Sequence, residues 1–277
     1  MGFRTVALTT MHGKLAQVAP AFERLADWKL VLVDDVDTDA FGTFTGDVQR
    51  TASPQDTAIA KARAGAQHGG FEYGLANEGT IGAHPSFPFV TSDHEVMALV
   101  SNGGDFTIVE SHLSLNIQAH RQVVTPGDGL SKMAKLLDLP HHAATVVVDG
   151  VGEQRIHKGI HQPDVLERIL HAEFTHDSAR VVVENDYRAM HSPTRQANIA
   201  ACAEKLVDRL LSHCPDCDEV GWGKVGTEYG LPCSFCGATA MTVARAHVFG
   251  CIRCDTTRLI PVEDAAADPS RCDVCNP

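Results

Sequence analysis

The chain has 277 residues, 44% of them hydrophobic, and a formal net charge of -12 at pH 7. That length accommodates one large domain with an appendage, or two domains, and the composition excludes general disorder. The acidic balance argues against broad attraction to nucleic acid or to an anionic membrane; with no basic leader and no apolar run of eighteen residues, the chain reads as cytoplasmic.

Residues 3–9, FRTVALT, predict a strand. After Thr10-Met11-His12-Gly13 the pattern turns helical, with Leu15, Val18, Phe22 and Leu25 on one face, and residues 30–33 follow as a second strand. Ser53-Pro54-Gln55-Asp56 is a cap with proline in the first helical position, opening an alanine-rich helix over 53–68. Residues 106–109, 144–148 and 179–183 are short β-branched strand candidates. Helical patterns cover about 128–138, 163–173 and 194–212. The alternation predicts an α/β domain over 1–212, a mixed sheet flanked by helices. A small C-terminal, ribbon-like double-zinc module occupies 213–277.

Eight of the nine cysteines define that module. They form four CxxC pairs: Cys214/Cys217, Cys233/Cys236, Cys251/Cys254 and Cys272/Cys275. Two thiolates two residues apart make a metal knuckle, and a tetrahedral zinc takes two knuckles, so two structural zinc ions are expected. Four thiolates leave no open position for a substrate water, so neither ion is catalytic. Intervening segments of 15, 14 and 17 residues allow sequential, nested or interleaved pairing. The nested arrangement is preferred, because MTVARAHVF reads as a strand that returns the chain toward the first knuckle. Cys202, in an apolar helical stretch, is expected to be a buried small hydrophobe.

Polar residues concentrate where strands end. The first cluster is Asp34-Asp35-Val36-Asp37-Thr38-Asp39 with the following FGTFTGDVQR, which ends on Arg50. It reads either as a solvated loop or as a magnesium and phosphate site, with Asp35, Asp37 and Asp39 as hard oxygen ligands. The second is Glu78-Gly79-Thr80-Ile81-Gly82-Ala83-His84-Pro85, which places Glu78 at the tip of a strand as a metal ligand or base. The third, from Glu184 to Arg195, puts Arg188, His191 and Arg195 beside a helix N-terminus, where they suit phosphate or carboxylate. Glu110 and His112 are weaker candidates, and His141, His142, His157 and His161 read as surface residues.

The series TTMHGK, DTDAFGTFTGDVQR, ANEGTIGAHP, ENDYRAMHSPTR and the four-CxxC tail resembles an uncharacterised bacterial protein family over nearly the whole chain. The first 85 residues also distantly resemble the inosine/xanthosine triphosphate pyrophosphatases. In those enzymes a strand leads through an Asn-x-x-Lys loop into a helix. Here Thr10-Met11-His12-Gly13-Lys14 stands in that place, with Met11 where asparagine is expected. The resemblance implies that Lys14 meets a triphosphate, that the helix around Lys61 follows, and that the loop around Glu78 holds metal. Their purine-pocket motif is not recognisable between 100 and 180, and a double zinc module is foreign to them.

Two functions follow as expectations. The first is a metal-dependent hydrolase of a nucleotide or other phosphorylated small molecule. Lys14, Arg50, Lys61, Arg188, His191 and Arg195 would hold the anion, Glu78 and the aspartates magnesium or manganese, and His12 or His84 would carry a proton. The second is a zinc-containing scaffold for a protein or single-stranded nucleic acid, although no basic run with interleaved aromatics favours nucleic acid. Either is compatible with a homo-oligomer.

Overall fold

Alternating apolar residues form β1 (Arg4–Thr9), α1 (Leu15–Phe22) and β2 (Trp28–Val33) in the computed structural model, which describes residues 3–42, 49, 51–150, 154–174 and 180–277. β1 and β2 are parallel, in register from Arg4↔Trp28 to Thr9↔Val33. The expected cap starts α2 (Pro54–Gly69): Ser53 Oγ accepts from the Asp56 N–H at 3.1 Å, and Gly70 ends the helix in the left-handed region.

α2 delivers the chain to β3 (Tyr73–Ala83), which runs parallel to β1. β4 (Thr91–Ser101) and β5 (Thr107–Ser114) then add antiparallel, giving the order β2-β1-β3-β4-β5. β3 therefore does not stop near Ala76. Glu78 lies within the strand rather than at its tip, because the glycines of GLANEGTIGA sit in extended backbone paired with β4 and not in a turn. β1 pairs with β3 only as far as Leu8↔Leu75, so β3 outruns its neighbour, and this geometry positions the polar centre.

The pleat sends alternate residues to opposite faces. Ala76, Val96, Ala98 and Val100 pack with Ala58 and Ala62 of α2. The approach is close enough that a Cβ on Gly74 would lie 1.9 Å from the Ala62 carbonyl oxygen. The other face, carrying Asp93 and Glu95, receives α5 (Pro193–Leu210) through Arg195 and Asn198.

A second sheet is antiparallel throughout. It consists of β6 (Arg121–Val124), β7 (Ala144–Asp149), β8 (Gln154–Ile160) and β9 (Arg180–Asn185) in the order β6-β9-β7-β8. The valines of β7 and β9 pack with Met133 of α3 (Leu130–Leu136) and Leu166 and Leu170 of α4 (Pro163–Glu173). The α/β expectation thus holds with a mixed sheet and an additional antiparallel one.

Two compact units divide the chain, Met1–Leu206 and Val207–Pro277. The second contains β10 (Gly223–Pro232), β11 (Thr239–Gly250) and β12 (Thr257–Pro261) as an antiparallel sheet in sequence order. Among the described residues no helix is long and apolar enough to cross a membrane.

Candidate functional site

The polar centre of the first unit begins where β1 ends. Gly13 takes a positive φ of 67°, and Lys14 follows at the N-terminal cap of α1. With the β1 side of β3 vacated beyond Leu75, the buried Lys14 amino group reaches across and donates to the Asn77 carbonyl oxygen at 2.8 Å. Its pKa is lowered to about 7, first by burial and then by the charge of Arg195, against the opposing pull of Glu95 and Glu78.

Two buried ion pairs surround it. On the α2 face, Lys61 Nζ lies 2.7 Å from Glu78 Oε2. On the α5 face, Arg195 Nε lies 2.6 Å from Glu95 Oε1, and Asn77 Nδ2 donates to Glu95 Oε2 at 2.9 Å. Burial would raise the Glu95 pKa, but the charges of Arg195 and Lys14 and the hydrogen bonds hold it below the usual value. Asp93, two residues earlier, is raised to about 7 by burial and by the Glu95 carboxylate, while Asn198 donates to its Oδ2 at 2.8 Å. Gly79 is required here, since its Cβ would lie 2.5 Å from Arg195 Nη2 and 2.6 Å from Glu95 Oε1.

His12 lies in the field of Lys14, and further cations and histidines lie in turn around His12. His12 Nε2 lies 2.9 Å from Asp39 Oδ1, and its pKa is lowered by burial, with Lys14 and Arg188 adding to the effect. Arg188 pairs with the buried Asp186 at 2.7 Å, and Asp186 also accepts from the Gly159 N–H. His191 Nδ1 and His161 Nε2 are 3.1 Å apart, and the field at His191 includes Asp186, Arg188 and His12. Lys14, Lys61, Glu78, Arg195, His12, Asp39, Arg188 and His191 are thus linked through direct bonds or mutual fields.

Other expected members lie elsewhere. His84 sits in the β3–β4 turn, stacked on Phe87, with its Nδ1 accepting from the Ser86 and Phe87 N–H groups. It lies six positions beyond Glu78, roughly 20 Å of extended chain. Asp35 is exposed and pairs with His68, two turns of α2 beyond Lys61, and Asp37 accepts from the N–H groups of Asp39 and Ala40. Among the described residues the three aspartates form no metal-ligating group with Glu78, and Asp39 reaches the centre through His12. Arg50 lies outside the described residues. Two expected surface histidines are otherwise employed: His142 is buried between Asp138 and Thr194, and His161 joins His191.

Asn77, Asp93, Glu95 and Asn198 were not legible as site residues, because β4 carries no turn signal that separates it from the preceding loop. One signal was available: Arg195, Asn198, Ile199, Cys202 and Leu206 recur at helical spacing, placing two polar residues on the apolar stripe of α5. Cys202 is indeed buried, and burial pushes its thiol pKa strongly up. A separate apolar cavity of about 410 Å³, lined by Val124, Leu130, Met133, Leu170 and Phe174 among others, contains none of the charged centre.

In the second unit the cysteines gather into Cys214, Cys217, Cys251 and Cys254, and into Cys233, Cys236, Cys272 and Cys275. Sulfur separations of 3.7 Å (Cys214–Cys254), 3.6 Å (Cys217–Cys251), 3.8 Å (Cys233–Cys275) and 3.7 Å (Cys236–Cys272) recur in both groups. A tetrahedron with zinc–sulfur bonds of about 2.3 Å has edges of about 3.8 Å, whereas a disulfide needs about 2.05 Å. The two quartets could hold two zinc ions. Among the described residues, these are the groups in which three or more ligating side chains come within reach of one ion.

The pairing is interleaved, which corrects the nested expectation. Knuckles two and three flank β11, whose twelve residues span roughly 40 Å, so they cannot share an ion. Antiparallel strands instead bring the first knuckle beside the third and the second beside the fourth.

An α/β unit with a buried charged centre, followed by a two-quartet cysteine sheet, is the class of protein these features define. A family model described as a domain of unknown function, DUF6671, matches residues 61–277, and the chain belongs to that family. The match begins at Lys61, after β1, α1 and the Lys14 loop. No curated protein matches the chain.

Proposed function

We propose that the region 1–212 is a hydrolase that binds a phosphorylated small molecule, such as a nucleotide, at the centre around Lys14, and that 213–277 is a non-catalytic module folded on two zinc ions. The observation that carries this reading is the position of Lys14: a buried amino group at the carboxyl end of β1, with His12 in its field and Arg188 and His191 in turn in the field of His12. Ligands of open α/β sheets gather at such strand ends, and cations with imidazoles suit phosphate oxygens and proton transfer. The resemblance to inosine/xanthosine triphosphate pyrophosphatases supports the same role for Lys14. With Glu78 engaged by Lys61, magnesium or manganese would be carried chiefly by the substrate phosphates, as is usual for these ions.

The test is a screen of nucleoside triphosphates and other phosphorylated metabolites for phosphate or pyrophosphate release by the zinc-replete full chain, with and without magnesium or manganese. Release that falls at least about tenfold in kcat/KM on Lys14→Met is expected, since the amino group acts on the reacting phosphate in the transition state. No release from any compound would defeat the reading. A docking role for the zinc module is the second reading, favoured by Phe235 and Val274, which are 83% and 67% exposed between their cysteines.

A further inference from the structure

We propose that Lys14 stands in its site as an amine at neutral pH and serves there as the proton acceptor. The two carboxylates whose fields act on Lys14 are committed, Glu78 to Lys61 at 2.7 Å and Glu95 to Arg195 at 2.6 Å. Each would surrender a buried ion pair on taking a proton, which costs several kcal/mol in order of magnitude. Among the described residues no carboxylate is in contact with Lys14. Its hydrogen-bond partner is the Asn77 carbonyl, which a neutral amine satisfies as well as an ammonium does.

The charges facing Lys14 come from every element around it. Arg195 of α5 and Lys61 of α2 disfavour the ammonium, while Glu95 of β4 and Glu78 of β3 favour it, and His12 lies on the same loop. Because both carboxylates are neutralised by those same cations, the decisive influence is removal of the ammonium from water. A desolvated lysine beside other cations is the arrangement that yields a basic, nucleophilic amine near pH 7. Burial to 7% exposure and a pKa lowered to about 7 agree with it.

The same residue offers a place for water. Asn77 Oδ1 is buried without a hydrogen-bond partner, an acceptor that a bound water would satisfy. Resting on the hydrolase reading, the step is as follows. The water oxygen bonds to phosphorus while its proton passes to the Lys14 amine. The bridging phosphorus–oxygen bond breaks, its electron pair leaves with the departing phosphate, and the Lys14 ammonium returns its proton to solvent.

The test needs no substrate. Full-length, zinc-loaded protein carrying lysine labelled with carbon-13 at Cε is titrated by NMR from pH 5.5 to 10.5, the Lys14 signal being assigned by its absence in Lys14→Arg. A midpoint near 7, while exposed lysines titrate near about 10.4, is expected. A Lys14 midpoint above about 9 overturns the proposal, whatever the substrate screen gives. A midpoint near 7 with no phosphorylated compound hydrolysed sustains the amine and defeats the hydrolase reading. If turnover is found, its rate should rise through the same midpoint.

Discussion

The Glu95 carboxylate and the Arg195 guanidinium meet at 2.6 Å with neither side chain more than 2% exposed, although the two residues stand on β4 and on α5. Each has further partners: Asn77 donates to Glu95, and Arg195 Nη1 donates to the Tyr187 carbonyl. Replacing Arg195 with methionine leaves Glu95 buried and uncompensated, so a loss of about 3–5 kcal/mol is expected in urea unfolding. The double change Glu95→Leu with Arg195→Met should recover most of that loss. A single-mutant cost under about 1 kcal/mol would show that the pair is not a buried anchor.

Gly79 tests the same pair from the strand side. Gly79→Ala forces a methyl group against Glu95 and Arg195 and should cost about 1–3 kcal/mol, the range for overpacking. Gly82→Ala on the same strand, with nothing within 4 Å of its Cβ, should cost much less. Equal melting temperatures for the two variants would contradict the contact geometry.

Asp93 ties stability to pH. Its pKa in the fold, about 7, lies above the unfolded value near 3.9, so between these values the folded chain holds more protons than the unfolded chain. The associated stabilisation is present at low pH and is lost as pH rises through about 7. Asp93→Asn keeps an acceptor for Asn198 but cannot ionise. Relative to this variant, wild type should lose stability as pH climbs from about 5.5 to 7, by at most about 1.4 kcal/mol per pH unit, and level off above about 8. Taking the difference cancels the contribution of the zinc sites. A difference that does not vary with pH would reject the assignment.

Interleaved zinc sites make an arithmetic prediction. Cys217→Ser should leave one zinc per chain, and Cys217→Ser with Cys251→Ser should still leave one, because both sulfurs belong to one quartet. Cys217→Ser with Cys236→Ser should leave none tightly bound, and the module should unfold, since metal binding supplies its folding free energy. Elemental analysis after gel filtration decides. Loss of both ions from the Cys217/Cys251 pair of changes would reject interleaved pairing.

The local elements were largely legible, and the reasons are local. Ser53-Pro54 capped α2 where expected, the periodicity of α1 matched its apolar face, and β-branched runs marked β7 and β9. The strand β11 was also anticipated, yet its consequence was misjudged: a strand between two knuckles separates them by its own length. Glycine misled in β3, where Gly74 and Gly79 serve close approach by α2 and by the Glu95–Arg195 pair rather than a turn.

By itself the sequence determined that the cysteines act in CxxC pairs, that the preceding chain is α/β, and that Lys14 and Arg195 stand at junctions of elements, because spacing, capping and periodicity are properties of neighbours along the chain. Only the tertiary structure decided which knuckles share an ion, that Lys61 takes Glu78 and Arg195 takes Glu95, and that Asp35 and His84 stand apart from them. Those pairings depend on strand register and on the face to which each side chain points, and both are set when the sheet closes and charge must be neutralised as it leaves water.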